Sequence, residues 1–192
     1  MTKKSLITIL LLLTTVLLSA NAQKADYQKA DSQRVMSLFR KAKGQPHAMG
    51  SYMVFFGRQL LGVPYVAKTL EKNKSEQLIV NLRQLDCTTY VETVLALSRC
   101  MMQGKPTFSN YCTQLRLIRY AKGVVSYPTR QHYFTYWIKQ NVSDGIVKDI
   151  QSPNPPFTAV KHLKVNWMTT HTKDYPQLAA HPEWVAGIRR ME

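Results

Sequence analysis

Apolar positions recur at helical spacing through most of this chain, and only two short stretches break into a strand-like pattern. In "QKADSQRVMSLFRKAK" (residues 28–43), Val35, Leu38 and Phe39 fall on one face of a 3.6-residue period, and Gly44 closes the segment. "MVFFGRQLLGVPYV" begins a second, short helix with Val54, Phe55 and Leu61 apolar, which Gly62 and Pro64 interrupt. "QLIVNL" is a compact β-rich run. From Cys87, the apolar residues Tyr90, Val91, Val94, Leu95 and Leu97 carry a helical period to about Met102. "PTFSNYCTQLRLIRYAKG" predicts another helix ending at Gly123, and "PTRQHYFTYWIKQN" a turn followed by an aromatic helix. "HLKVNWM" alternates, with Leu163, Val165 and Trp167 on one face, which predicts a strand; "PEWVAGIRR" predicts a last helix. Helices come first and strands are few, so the fold class is α+β with the helical part dominant.

The first 22 residues stand apart from this pattern. Lys3 and Lys4 precede "LITILLLLTTVLLSA", and "ANA" follows: a charged, an apolar and a small-residue region, which predicts a signal peptide cleaved after Ala22. The apolar run is short for a membrane span of roughly 20 residues. The chain is therefore expected to be exported, to the periplasm or cell envelope of a bacterium, with residues 23–192 forming one domain and no membrane contact after cleavage. The formal net charge of +15, from 26 basic and 11 acidic residues, draws such a protein towards polyanions. The bases are scattered, as in "RKAKGQ", "KNK" and "GIRR", and form no basic amphipathic helix. They predict adaptation to an anionic envelope, not a nucleic-acid interface. No P-loop, dinucleotide-binding glycine pattern or zinc-spaced cysteine pair is present, so neither cofactor nor metal is expected.

Cys87, Cys100 and Cys112 are an odd set for an exported protein, and at least one thiol stays free or pairs outside the chain. Cys100 and Cys112 lie near the ends of successive helical patterns and are candidates to meet across a helical hairpin. Cys87 opens a helix. Asp86 suits the N-cap, and Thr89 with Glu92 matches a T-x-x-E capping box one step further on. The positive end of a helix favours thiolate over thiol and activates sulfur. A buried packing cysteine is the alternative, and these features alone leave both open.

Four blocks, "LLGVPYVAKTLE", "LIVNLRQLDCTTYVETVLALSR", "IRYAKGVVSYPTRQHYFTYWI" and "VNWMTTHTKDYPQL", resemble in that order a family of exported bacterial cysteine amidases. That family, long catalogued as a domain of unknown function, is described as N-acetylmuramoyl-L-alanine amidase-like, a branch of the NlpC-type papain-like superfamily. The resemblance runs from about Met36 to Glu192. It implies a papain-like fold, with a cysteine nucleophile at the start of a helix packed on a small antiparallel sheet. Cys87 falls on the nucleophile and Tyr65, in "GVPY", on the tyrosine placed beside it. Arg130, His132, Tyr133 and Trp137, in "RQHYFTYW", fall on a block resembling the substrate groove. The implied partner is a muropeptide or other peptidoglycan fragment, cut by a monomeric enzyme at the amide between the muramic lactyl group and L-alanine.

In such folds the general base is a histidine on a strand after the cysteine helix, and the family carries a "GL-D-HVG"-like block after its last helix. This chain ends at "GIRRME" without one, which predicts a C-terminally truncated domain with an incomplete sheet. Of its five histidines, His132 is the best substitute base, with packing or groove lining as the alternative role. His171 is second; His47, His162 and His181 are expected at the surface. Trp137, Trp167 and Trp184 suit sugar stacking or, more commonly, a core. The sequence thus predicts a cell-wall cysteine amidase, with an inactive muropeptide- or envelope-binding remnant of that fold as the alternative.

Overall fold

The computed structural model describes residues 25–150, 161 and 165–192. The proposed leader, the "SPNPP" loop, His162 and Leu163 lie outside them. The central element is the helix that begins at Cys87. Helix α3 (Cys87–Met102) starts where the Asp86 carboxylate accepts the Thr89 N–H at 2.8 Å and the Asp86 N–H donates to Thr89 Oγ1 at 2.9 Å. This box sits three residues before the Thr89–Glu92 pairing that the sequence suggests, because Glu92 turns inward to Arg119 instead. Val94, Leu95, Ala96, Leu97 and Cys100 are buried around much of the helix, as in a core helix flanked on several sides. Its flanks are α2 (Met49–Gln59) and α4 (Phe108–Arg119). Helix α2 comes close because Gly57 has no side chain: a Cβ there would meet the Tyr90 hydroxyl at 2.8 Å. The face of α2 differs from the expected one. Val54 and Leu61 point outward, and Tyr52, Phe56 and Leu60 fill the core.

Helix α1 (Lys29–Lys41) buries Val35, Leu38 and Phe39 as the spacing predicts, and also Asp31. That carboxylate receives the Leu82 N–H at 2.9 Å and Arg83 Nε at 3.2 Å, while Arg34 donates to the Leu82 carbonyl at 2.9 Å. Together these bonds fix the segment leading into Cys87. Strands β1 (Asp26–Tyr27) and β2 (Ile79–Val80) pair in register Asp26↔Ile79 and Tyr27↔Val80. The pairing is parallel, not the expected antiparallel, because α1 and α2 lie between the strands and supply the long crossover that parallel neighbours need. The fold is thus mostly helical with a small two-stranded parallel sheet. Among the described residues no helix is long and apolar enough to cross a membrane.

Helix α5 (Phe134–Ser143) follows a short 3₁₀ turn at Tyr127–Thr129. The expected strand through Val165 and Trp167 is replaced by the one-turn helix α6 (Trp167–Thr170). There Thr170 Oγ1 bonds the Asn166 carbonyl at 2.7 Å, so short polar side chains close a local turn where the alternation suggested extension. Helices α7 (Pro176–Ala180) and α8 (Val185–Arg189) complete a second, smaller core of Tyr127, Met168, Leu178 and Ile188.

Candidate active site

Capping by Asp86 places Cys87 as the first residue of α3, with its side chain exposed and Sγ 4.0 Å from Thr88 Oγ1. The first N–H groups of a helix have no acceptor within it, so those of Cys87 and Thr88 are available at the helix start. The other two cysteines are different in kind. All three are unbonded thiols, and burial pushes the Cys100 thiol up to about 12 and that of Cys112 to about 11.

Beside the start of α3 lies a cleft of about 410 Å³. Asp86 and Thr88 form its near edge, Glu92 and Arg119 its floor, and a turn at Lys68–Glu71 one side. Arg130–Tyr133 form the other side, closed by the exposed Trp167 and by Met168 and Tyr175 of the smaller core. The floor is an ion pair: Arg119 Nε is 2.7 Å from Glu92 Oε2, and its Nη1 donates to the Ile79 carbonyl at 2.7 Å. Burial lifts the Glu92 carboxyl and works against the Arg119 charge. Glu92, however, holds the guanidinium above its ordinary value, so we describe the two as an ionised pair.

The expected site residues part company here. Tyr65 pairs with Leu85 in a parallel bridge, bracketed by Leu85 N–H to Pro64 O at 3.1 Å and Val66 N–H to Leu85 O at 3.0 Å. It therefore flanks the segment entering Cys87, with its ring exposed to solvent. Arg130 is buried and engaged: it pairs with Glu71 and, at 3.6 Å, with Glu76, and its guanidinium lies 5.0 Å from the centre of the Tyr127 ring. Burial opposes its charge, but Glu76 and Glu71 raise its pKa on balance. Tyr133 lines the cleft, donating its hydroxyl to Glu192 Oε1 at 2.8 Å and accepting the Met168 N–H at 3.0 Å. Trp137 does not reach the cleft. It is 3% exposed, stacked on Phe134 at 5.2 Å, and belongs to the main core, because the helical period of α5 turns it inward.

His132 lines the cleft but faces the Tyr127 carbonyl, to which Nε2 donates at 2.8 Å. Burial, and then the Arg130 charge, lower its pKa to about 3, against the pull of that carbonyl. The ring is neutral at physiological pH, and no described histidine hydrogen-bonds Cys87. His171 is exposed and stacked on Trp167 at 3.6 Å. His181 is half-buried, paired with Glu183 at 2.9 Å and stacked on Trp184 at 3.9 Å; His47 is at the surface. Among the described residues no group of three or more His, Cys, Asp or Glu could hold a metal ion.

Sequence reasoning missed the Lys68–Glu71 turn, the Glu92–Arg119 floor and Tyr175. The floor had a legible signal, a glutamate and an arginine at apolar-phase positions of two helices. The turn had none.

A family model described as AmiA-like, N-acetylmuramoyl-L-alanine amidase-like, matches residues 55–192. Among solved structures, an N-acetylmuramoyl-L-alanine amidase from Bacteroides uniformis is 36% identical, with a TM-score of 0.68, over 75% of this chain and 60% of that one. A Bacteroides fragilis protein named as a candidate xylanase is 35% identical, with a TM-score of 0.64, over 71% of this chain and 60% of that one. A Legionella pneumophila protein, 21% identical with a TM-score of 0.53 over 61% of this chain and 38% of that one, shares the fold. The chain thus spans about 60% of the length of the Bacteroides structures it matches. No curated protein matches it.

Proposed function

The chain belongs to the N-acetylmuramoyl-L-alanine amidase-like family, and from that premise we propose that it hydrolyses peptidoglycan fragments at the amide between the muramic lactyl group and L-alanine, with Cys87 as nucleophile. The observation that carries this reading is the exposed thiol at the first residue of the most deeply packed helix, with Asp86 and Thr88 on the edge of the cleft. The Cys87 thiolate adds to the lactyl carbonyl carbon. The oxygen takes up the negative charge and is met by the free N–H groups of Cys87 and Thr88. Breaking the C–N bond releases the alanine nitrogen as an amine once it gains a proton, and water then cleaves the thioester to free the lactyl acid and the thiol. Trp167, exposed on the cleft wall, offers a face for a sugar ring, and Tyr133 a hydroxyl. In this reading the protein is an exported monomer of the periplasm or cell envelope, with a fold of the NlpC-type papain-like kind, and its partner is a muropeptide.

A second reading, a muropeptide-binding module without turnover, draws support from His132. An imidazole with a pKa of about 3 accepts a proton poorly at neutral pH, and its Nε2 is already bonded to Tyr127. We assign His132 to holding the cleft wall rather than to taking the Cys87 proton. Incubating the full chain with muramyl peptides and measuring new amino groups separates the readings. Release that disappears in Cys87→Ala is the expected result. Binding by calorimetry without release establishes the second reading, and neither binding nor release overturns both.

A further inference from the structure

The cleft holds more hydrogen-bond donors than the fold uses. Its three carboxylates are all engaged: Glu71 with Arg130, Glu92 with Arg119, and Asp86 with the Thr89 N–H. Arg119 and Arg130 are ion-paired, Arg130 with Glu76 as well as Glu71, although Arg130 Nε makes no hydrogen bond among the described residues. Lys68 also lines the cleft and has no ion-pair partner among the described residues. Thr69, next to it in the turn, is 2% exposed, and Gln131, on the facing side of the cleft, is 5% exposed; Thr69 Oγ1 and Gln131 Nε2 have no hydrogen-bond partner among the described residues. The Gln131 amide is not misassigned, since its Oε1 accepts Asn141 Nδ2 at 3.0 Å. Buried donors are nearly always satisfied in folded proteins, so a surplus among residues lining one cleft points to an acceptor that arrives with the ligand.

The backbone points the same way. Lys68 has φ 61°, in the left-handed region that residues with a side chain rarely adopt. The turn is closed by the Glu71 N–H to the Lys68 carbonyl at 3.2 Å, and it is held from the protein side by Arg130, which bonds the Leu70 carbonyl at 3.5 Å and pairs with Glu71. Glycine would fit this conformation without strain. A lysine there keeps an ammonium group at the cleft rim on a braced turn.

We propose that the Lys68–Glu71 turn is a carboxylate-binding subsite for the peptide part of the ligand. Lys68 makes the first contact, and the buried Thr69 hydroxyl and Gln131 amide nitrogen supply the further donors. The proposal rests on the amidase reading above and deepens it: the preferred muropeptide carries a free carboxylate next to L-alanine, and its amide is the poorer ligand.

The test uses the full chain with Cys87→Ala, so that nothing is cut, titrated calorimetrically with N-acetylmuramyl-L-alanyl-D-glutamate and with the same compound amidated at its carboxylates. The acid is expected to bind about tenfold tighter, the scale of one charge-assisted hydrogen bond. Lys68→Gly is expected to bring the ratio close to one without lowering Tm, since it relieves the left-handed conformation, and Lys68→Arg to keep most of the preference. Lys122→Gly, at the other lysine with positive φ (55°), leaves the ratio unchanged. Equal binding of acid and amide, or a preference that survives Lys68→Gly, overturns the subsite. If neither muramyl compound binds, the amidase reading fails, and the dipeptide L-alanyl-D-glutamate decides the subsite alone. Amide shift changes at residues 68–71 that vanish in Lys68→Gly support it, and their absence overturns it.

Discussion

Helix α3 and the layer facing it across the cleft are held by different means. Along α3, Val94, Leu95, Ala96, Leu97 and Cys100 are each 4% exposed or less, and two long helices flank it. Across the cleft, α6, α7 and α8 have four or five residues each around four buried residues, Tyr127, Met168, Leu178 and Ile188. Helices that short do not form on their own account. What holds them is a set of tethers: Glu192 to Tyr133 and Thr169, Gln177 Nε2 to the Asn73 carbonyl at 3.1 Å, and Trp184 stacked between Tyr127 and His181. The wall that carries Cys87 is fixed by packing. The facing wall is fixed by a few polar bonds and belongs to the part of the molecule that opens first.

The largest effects should come from breaking the packed side. Arg119→Met strands the Glu92 carboxylate in the core, 27 residues away in sequence but bonded to Arg119 across α3 and α4. Removing one partner of a buried pair costs about 3–5 kcal/mol, and we expect the urea midpoint to fall accordingly. Leu97→Ala, at a fully buried position, should cost about 2–5 kcal/mol. Both should lower the midpoint of the whole molecule, seen by far-ultraviolet circular dichroism and tryptophan fluorescence together.

Glu192→Ala probes the other wall. It removes the acceptor of Tyr133 and Thr169 at the surface of the small core. Hydrogen bonds to a charged acceptor are worth about 1.5–3 kcal/mol; at this partly exposed site the lower end is expected, and the loss should stay local. Hydrogen exchange should quicken over residues 133–137 and 167–170 while 87–102 keeps its protection. If α3 loses protection equally, the two walls form one cooperative unit and the contrast drawn above is wrong.

The same contrast decides what could be read from the sequence. The extent of α3 was legible, its start near Cys87 and its end near Met102, since an N-cap aspartate and a sustained apolar period both have local causes. The α1 and α4 segments were legible for the same reason. The face of α2 was not: Val54 and Leu61 are as apolar as Phe56 and Leu60, and only the close approach permitted by Gly57 decides which pair turns inward. Around the facing wall, local pattern fails further. The alternation through Val165 and Trp167 suits a strand, but Thr169 and Thr170 fold back on Asn166. The place of Cys87 at a helix start was visible because such a start is a local event. Lys68, by contrast, owes its place to Arg130, 62 positions later, and nothing near Lys68 records that.

A smaller effect separates the walls by pH. His132 has a folded pKa of about 3 against 6.5 for an unperturbed histidine. Between those values the unfolded chain binds a proton that the folded chain refuses, so His132 makes the protein less stable as pH falls from 6.5 towards 3, and contributes no slope above that window. His132→Gln loses the bond to the Tyr127 carbonyl and should start less stable at pH 7. It should then gain on the parent as the solution is acidified. The test is the difference in urea midpoint at pH 7 and pH 5; a difference that stays constant would mean that His132 titrates normally, and the cleft wall is wetter than described.

The smallest effect lies at the start of α3 and asks whether the cap or its charge matters to Cys87. Asp86→Ala removes the acceptor for the Thr89 N–H and should cost about 1 kcal/mol. Asp86→Asn keeps an oxygen in place, so stability should change by only a few tenths of a kcal/mol. What it removes is a negative charge one residue from the sulfur, which would otherwise repel the developing thiolate. At fixed pH the Asn variant should react faster with iodoacetamide at Cys87, while Cys100 and Cys112, with thiols lifted to about 12 and about 11, stay slow. The Ala variant shares the loss of charge but loosens the first turn, so comparing the two separates electrostatics from geometry. Equal rates in both variants would assign the reactivity of Cys87 to charge alone. A faster rate in Asn alone would mean that the capped first turn, the most local feature of the packed wall, also sets the chemistry of the cleft.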